Sequence, residues 1–207
     1  MKQSFFNAVS FFAVIAVLIT GCATTTELKA VWKDPAYVGH PNKIMVIGVS
    51  KNVVHRRIFE DEFVRQLQAA GSNAIASYTV LPDAKQNDQA LIAEMMKKQG
   101  ADTVLITRLV SKKTVQVYVP GTLYYPPAYY GTWRDYYGYG YQAIYTPGYM
   151  AEDEYALMET NLYESTNDKL IWATSSQTEM RGSDQSVIKS YIGVIVKTMA
   201  EQNLLSK

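Results

Sequence analysis

The 207-residue sequence is poor in the residues that usually carry chemistry: one cysteine, Cys22, and two histidines, His40 and His55. A lone cysteine excludes an intramolecular disulfide, and neither histidine stands at metal-ligand spacing from the other or from a second cysteine. Neither sign of charge is in excess, with 20 Lys and Arg against 19 Asp and Glu. The chain therefore lacks the basic surplus that neutralises nucleic-acid phosphates, and no nucleic-acid partner is expected. Gly48-Val49-Ser50-Lys51-Asn52 has neither the glycine spacing of a dinucleotide loop nor the Gly-Lys-Ser/Thr of a phosphate loop. No Gly-x-Ser-x-Gly elbow occurs. These absences lead to an expectation of no catalytic residue, no metal and no cofactor.

What is present begins at the amino terminus. Met1-Lys2-Gln3 is a short positive region, and Phe11 to Ile19 is an apolar run too short to cross a bilayer, which takes about 20 residues. The run ends in Leu18-Ile19-Thr20-Gly21-Cys22, which resembles the bacterial lipoprotein signal. The resemblance implies cleavage after residue 21, a diacylglycerol on the Cys22 thiol and a third acyl chain, such as palmitate, on the new amino terminus. Several chains anchor stably where one is marginal. Ala23 stands where an aspartate would signal inner-membrane retention, so the expected location is the outer membrane, facing the periplasm. Residues 1–21 are thus read as signal peptide, 22–28 as a lipidated polar tether and 29–207 as a single domain.

The domain reads as α/β. Lys43 to Val49 is a short β-branched run bounded by Pro41-Asn42 and Ser50, the pattern of a strand buried on both faces. Val53 to Ala70 carries Phe59, Phe63, Leu67 and Ala70 at helical spacing, with Arg56, Glu60, Asp61 and Arg65 mostly off that stripe and Gly71 as the stop. Asn52 or Ser50 supplies the cap. Asn73 to Tyr78 reads as a second strand, and Asp88 to Gln99 as a helix ending at Gly100. Thr103 to Thr107 reads as a third strand, which continues through alternating residues to Val119 and leaves the covered sheet. Tyr155 to Glu164 and Lys169 to Thr178 form a hairpin across Ser165-Thr166-Asn167-Asp168. Gly182-Ser183-Asp184 opens a last helix with Val187, Ile188, Tyr191, Ile195 and Met199 on one side. The expected fold is a three-layer domain with a mixed sheet, parallel in its βαβαβ part and extended by an antiparallel hairpin, with about three helices.

Several stretches resemble a family of bacterial envelope lipoproteins that share a domain of unknown function. They are Trp32-Lys33-Asp34-Pro35, Lys43 to Gly48, Arg57 to Asp61, Gly100 to Leu105, Glu159 to Tyr163 and Lys169 to Trp172. The chain is similar more widely to the envelope α/β domains that include the amino-terminal domain of TolB and the curli secretion lipoprotein CsgG. That resemblance implies an assembly or scaffolding role and names no active-site residue.

Residues 119–150 interrupt the sheet. Eleven of the 16 tyrosines lie between Tyr118 and Tyr149, with four prolines and five glycines. The candidate surface comprises Tyr124, Tyr125, Tyr129, Tyr130, Trp133, Tyr136, Tyr137, Tyr139, Tyr141, Tyr145 and Tyr149, and Arg134 and Asp135 are its only charges. Proline and glycine exclude an amphipathic helix there. Tyrosine offers a large contact area at low entropic cost and a hydroxyl for polar partners. Three readings stay open: a recognition surface for an envelope protein or another copy of this chain, a platform stacking on peptidoglycan or another glycan, and a self-packed loop. The alternative from another class is a peptidoglycan hydrolase using Glu152, Asp153, Glu154 and Glu159 as paired carboxylates. A solvated, charged start to a strand is the preferred reading of those residues, with Lys113 or Arg108 positioned to pair with Glu159.

Overall fold

The computed structural model describes residues 25–121 and 147–205. In chain order the elements are β1 (Thr26–Lys33), β2 (Lys43–Val49), α1 (Val53–Ala69), β3 (Asn73–Ala76), α2 (Gln89–Gln99), β4 (Thr103–Val119), β5 (Tyr149–Glu164), β6 (Leu170–Glu179) and α3 (Asp184–Glu201). Short 3-10 turns at Ser77–Thr79 and Asp83–Lys85 bridge β3 and α2. Each helix starts where a side-chain oxygen accepts an otherwise orphaned amide. Asn52 takes the His55 N–H at 3.1 Å, Asp88 takes that of Leu91 at 3.1 Å and Ser183 takes that of Ser186 at 3.2 Å. Gly100 ends α2 at φ +66°, a left-handed conformation that side chains resist.

The strands form one mixed sheet in the order β1-β6-β5-β4-β2-β3. β2 runs parallel to β3 and β4, whereas β4, β5, β6 and β1 alternate in direction. Alternation along each strand divides the core. Ile44, Val46, Leu105, Leu162 and Trp172 face α1 and α3 through Phe63, Leu67, Ile192 and Ile195. Met45, Ile47 and Val104 face the other way, toward Met96 of α2. The architecture is therefore helix layer, sheet and helix layer, as the sequence pattern predicts.

The buried stripe of α1 is Arg56, Glu60, Phe63 and Leu67, at spacings of four, three and four. This corrects the expectation that Arg56 and Glu60 lie off the buried face: they are 1% and 0% exposed. Glu60 Oε1 accepts from the Gly48 N–H at 3.0 Å, from Arg56 Nε at 2.9 Å and from the Ser77 hydroxyl at 2.8 Å, while Oε2 accepts from the Tyr78 N–H at 2.9 Å. Arg56 in turn donates to Ser77 Oγ at 2.8 Å and to Asp83 at 3.3 Å. One carboxylate thus holds the end of β2, the end of β3 and the start of the next loop. It also explains why β3 stops at Ala76 rather than Tyr78, since the Tyr78 amide bonds to Glu60 instead of a ladder partner. Gly48 suits this crossing, because a Cβ there would meet the Phe59 ring at 3.0 Å and the ring would have to shift.

Two strands are longer or earlier than the sequence suggests. β1 begins at Thr26, so Thr26 to Leu28, read as tether, lie in the sheet opposite Thr178 to Ser176. A bulge between Leu28 and Ala30 breaks the two-residue period that would have revealed the strand. Lys33 Nζ donating to the Gln202 carbonyl at 2.7 Å, and Asp34 paired with Lys169 at 2.5 Å, fasten its far end. The Lys169 ammonium and the Ala36 N–H hold the Asp34 carboxyl below the usual carboxylate range. β5 begins at Tyr149 instead of Tyr155, and pairs with β4 along its whole length.

Beneath α3 the apolar core also holds a cluster of buried hydroxyls. The Tyr191 hydroxyl bonds to the hydroxyl of Thr160, which bonds to that of Thr107 at 2.8 Å. Burial pushes the Tyr191 phenol up to about 12, with the threonine hydroxyls opposing the shift.

Two outcomes follow from this packing. Glu60→Ala strands the Arg56 guanidinium and two backbone donors, so urea unfolding should show a loss of ~3–5 kcal/mol; a loss below ~1 kcal/mol would contradict the network's role. The Tyr191 pKa is raised on folding, so its stabilisation is complete below pH ~10 and fades as pH rises through 12, by ~2–3 kcal/mol. The difference in stability between wild type and Tyr191→Phe, measured from pH 8 to 12, should shrink over that window; a constant difference would refute it.

Candidate functional site

Beyond Val49 of β2 and Glu179 of β6, strands β4 and β5 lose their outer neighbours and continue as a two-stranded ribbon. The last rung shared with β6 is Tyr155 opposite Glu179. Six further rungs of β4–β5 pairing run from Thr114 opposite Glu154 to Val119 opposite Tyr149, which at ~3.4 Å per residue adds ~20 Å. β4 is interrupted at its root by an irregularity between Leu109 and Ser111. Most of the ribbon is open to solvent. Val117, Tyr118, Tyr149 and Met150 are 40 to 63% exposed, and Leu109 and Val110 about half exposed.

Of the expected surface residues, Tyr149 is described: it opens β5 on the terminal rung. Tyr124, Tyr125, Tyr129, Tyr130, Trp133, Tyr136, Tyr137, Tyr139, Tyr141 and Tyr145, like Cys22, lie outside the described residues. Tyr118 and Met150 share the next rung. Gly148 is fitted to Tyr118, whose hydroxyl occupies the space a Cβ would take. The sequence reading passed over Val117 and Met150. Their signal is the uncharged, β-branched run Thr114-Val115-Gln116-Val117-Tyr118-Val119, which has strong strand propensity and no gatekeeping charge.

Three of the four carboxylates of the hydrolase alternative are engaged by neighbouring side chains. Arg108 pairs with Glu159 at 2.6 Å, one of the two partners expected for it, and Lys113 instead stands opposite Tyr155. Asp153 is bound by Arg181 at 2.6 Å, and Glu152 reaches Gln116 across the ribbon at 3.4 Å. Alternation puts Glu152 and Glu154 on one face and Asp153 and Glu159 on the other, the latter two six residues and ~20 Å apart. Glu152 and Glu154 stand two residues and ~7 Å apart on an exposed strand face, a spacing inside the ~5–10 Å of a glycosidase pair, whereas Asp153 and Glu159 do not and are each held by an arginine. His40 and His55 are exposed. Among the described residues no three His, Cys, Asp or Glu side chains are grouped to hold a metal, and no helix is long and apolar enough to cross a membrane.

An open groove of about 980 Å³ runs between α1 and α3, lined by Arg65, Gln66, Arg181, Lys189 and Lys197 among others. Glu62 engages Arg65, and Asp153 and Glu179 engage Arg181. The Arg65 contact holds the Glu62 carboxyl below its ordinary range. The groove brings cations together, and two of them, Arg65 and Arg181, are already held by carboxylates.

No family model and no curated protein sequence matches the chain. Among solved structures it is similar to a PelC dodecamer from Paraburkholderia phytofirmans, at 12% identity over 88% of this chain and 99% of that one, with a TM-score of 0.48. It is also similar to lipoprotein GNA1162 from Neisseria meningitidis, at 17% identity over 78% of this chain and 99% of that one, with a TM-score of 0.43.

Proposed function

We propose that this chain is a lipid-anchored, non-catalytic module of the cell envelope, held by Cys22 to the periplasmic side of the outer membrane. In this reading it recruits an envelope protein or a second copy of itself through the β4–β5 ribbon and the tyrosine-rich insertion that the ribbon carries. The observation behind it is how the sheet treats its edges. β3, at one side, has only four residues. β1, at the other, carries a bulge and the lysines Lys29 and Lys33. Both are ordinary defences against strand addition. From Thr114 to Val119, β4 is uncharged and has neither a bulge nor, among the described residues, a second strand on its outer edge. A two-stranded ribbon is marginally stable in water by itself, which favours a partner that completes it.

Fatty-acid labelling of wild type and Cys22→Ala tests the anchor: label is expected in the wild type alone, and an unlabelled wild type would reject lipidation. A photoreactive residue at Thr114 should capture a protein adduct in intact cells. Val115→Lys with Val117→Lys, which guards the edge, should abolish that adduct without lowering the thermal midpoint. No adduct from the unguarded ribbon would contradict recruitment there, and adducts of equal yield from the guarded one would contradict strand pairing.

A further inference from the structure

The ribbon and the membrane tether leave the fold at the same end. The Glu179 N–H donates to the Thr25 carbonyl at 2.9 Å, and Thr26 pairs with Thr178. On the other side of β6, Tyr155 pairs with Glu179 and the Met180 N–H donates to the Glu154 carbonyl at 2.8 Å. The point where the chain enters from Cys22 and the point where the ribbon departs are therefore two strands apart, level with the end of β6. Only Ala23, Thr24 and Thr25 separate Cys22 from Thr26, a reach of at most ~14 Å for an extended chain. The ribbon extends ~20 Å beyond the same level. A domain tethered this closely cannot stand upright over its anchor with the ribbon clear of the bilayer.

The tip has the chemistry for that position. Its last three rungs pair Val117 with Ala151, Tyr118 with Met150 and Val119 with Tyr149. None is charged, and Pro120-Gly121 and Pro147-Gly148 beyond them are uncharged as well. Charge begins one rung back, at Glu152, and gathers toward the root at Asp153, Glu154, Lys113, Lys112 and Arg108. Tyr118, Tyr149 and Met150 are more than half exposed in spite of their apolar surface. Tyrosine with its ring toward hydrocarbon and its hydroxyl toward headgroups is the ordinary residue of a membrane interface. Three rungs measure ~10 Å, which matches the ~5–10 Å to which interfacial elements sink their apolar faces.

We propose that the tip of the β4–β5 ribbon, Val117–Val119 with Tyr149–Ala151, rests in the lipid interface of the membrane that holds Cys22, making a second contact that fixes the orientation of the domain. The inference rests on the Cys22 anchor proposed above. It assigns the last three rungs to lipid; the edge from Thr114 to Gln116 and the tyrosine-rich insertion stay with the protein partner proposed above.

The lipidated full-length chain can be reconstituted into vesicles of phosphatidylethanolamine and phosphatidylglycerol. Since lipidation consumes the Cys22 thiol, Met150→Cys gives a single site for a fluorescent probe. Tyr118→Cys gives a second reporter on the same rung, and Thr166→Cys, in the exposed turn at the opposite end of the sheet, gives the control. Nitroxide-bearing lipids should quench the probes at 150 and 118 several-fold more than the probe at 166. Equal quenching at all three sites in a chain that floats with the vesicles would overturn the tip contact and leave the anchor standing. A chain that fails to float would contradict the anchor itself, and with it this inference.

Discussion

The buried carboxylate of Glu60 is the constraint on which the parallel half of the fold depends. It takes four hydrogen bonds, two from backbone amides at the ends of neighbouring strands, one from Ser77 and one from Arg56. Burying an ion pair costs several kcal/mol of desolvation unless its remaining bonding capacity is met, and here it is met nearly completely. The result is directional where a hydrophobic contact would not be. β2 and β3 must end together against α1, and Arg56 carries the link onward to Asp83 and the connection to α2. With β2 fixed, β4 falls into register beside it, and β4 in turn aims the ribbon.

The parts legible in the sequence are those whose cause is local. The apolar run of β2, a cap at Asn52 or Ser50, the Gly182-Ser183-Asp184 opening of the last helix and the stop at Gly100 each need only a few consecutive residues; the structure selects Asn52 and Ser183, and makes Asp88, read as the first helical residue, the cap of its helix. For Glu159 the sequence offered two cross-strand partners, Lys113 and Arg108, and the β4–β5 register selects Arg108. Arg56 and Glu60 were misread because their partners, Gly48, Ser77 and Asp83, lie 12 to 27 residues away in sequence. A helix turn with charges at i and i+4 looks like a solvated face until those partners arrive. Even so, the two charges continue the spacing of Phe63 and Leu67, which was a usable signal. β1 was hidden by its bulge, and the first six residues of β5 by the absence of any buried face to impose a period.

The candidate site was legible as a region and not as a geometry. Tyrosine density marked the interruption of the sheet, and the long alternation to Val119 marked a strand running past its neighbours. Composition alone could not show that the ribbon's uncharged edge has no strand partner among the described residues, or that the ribbon and the start of β1 lie at the same end. Both follow from strand order: β6 ends between β1 and β5 and so makes entrance and projection neighbours. The packed scaffold and the proposed contact element thus occupy opposite ends of one sheet, with a core at one end and, among the described residues, a two-stranded ribbon at the other.

That division is the central claim, and amide hydrogen exchange of the full-length chain tests it most directly, comparing native membranes with neutral detergent. Amides of β2 should be protected equally in both, while those of residues 114–119 and 149–154 should exchange much more slowly in the membrane than in detergent. Ribbon amides that exchange at the same rate in both settings would contradict the account, because a ribbon built for contact must be covered where it works.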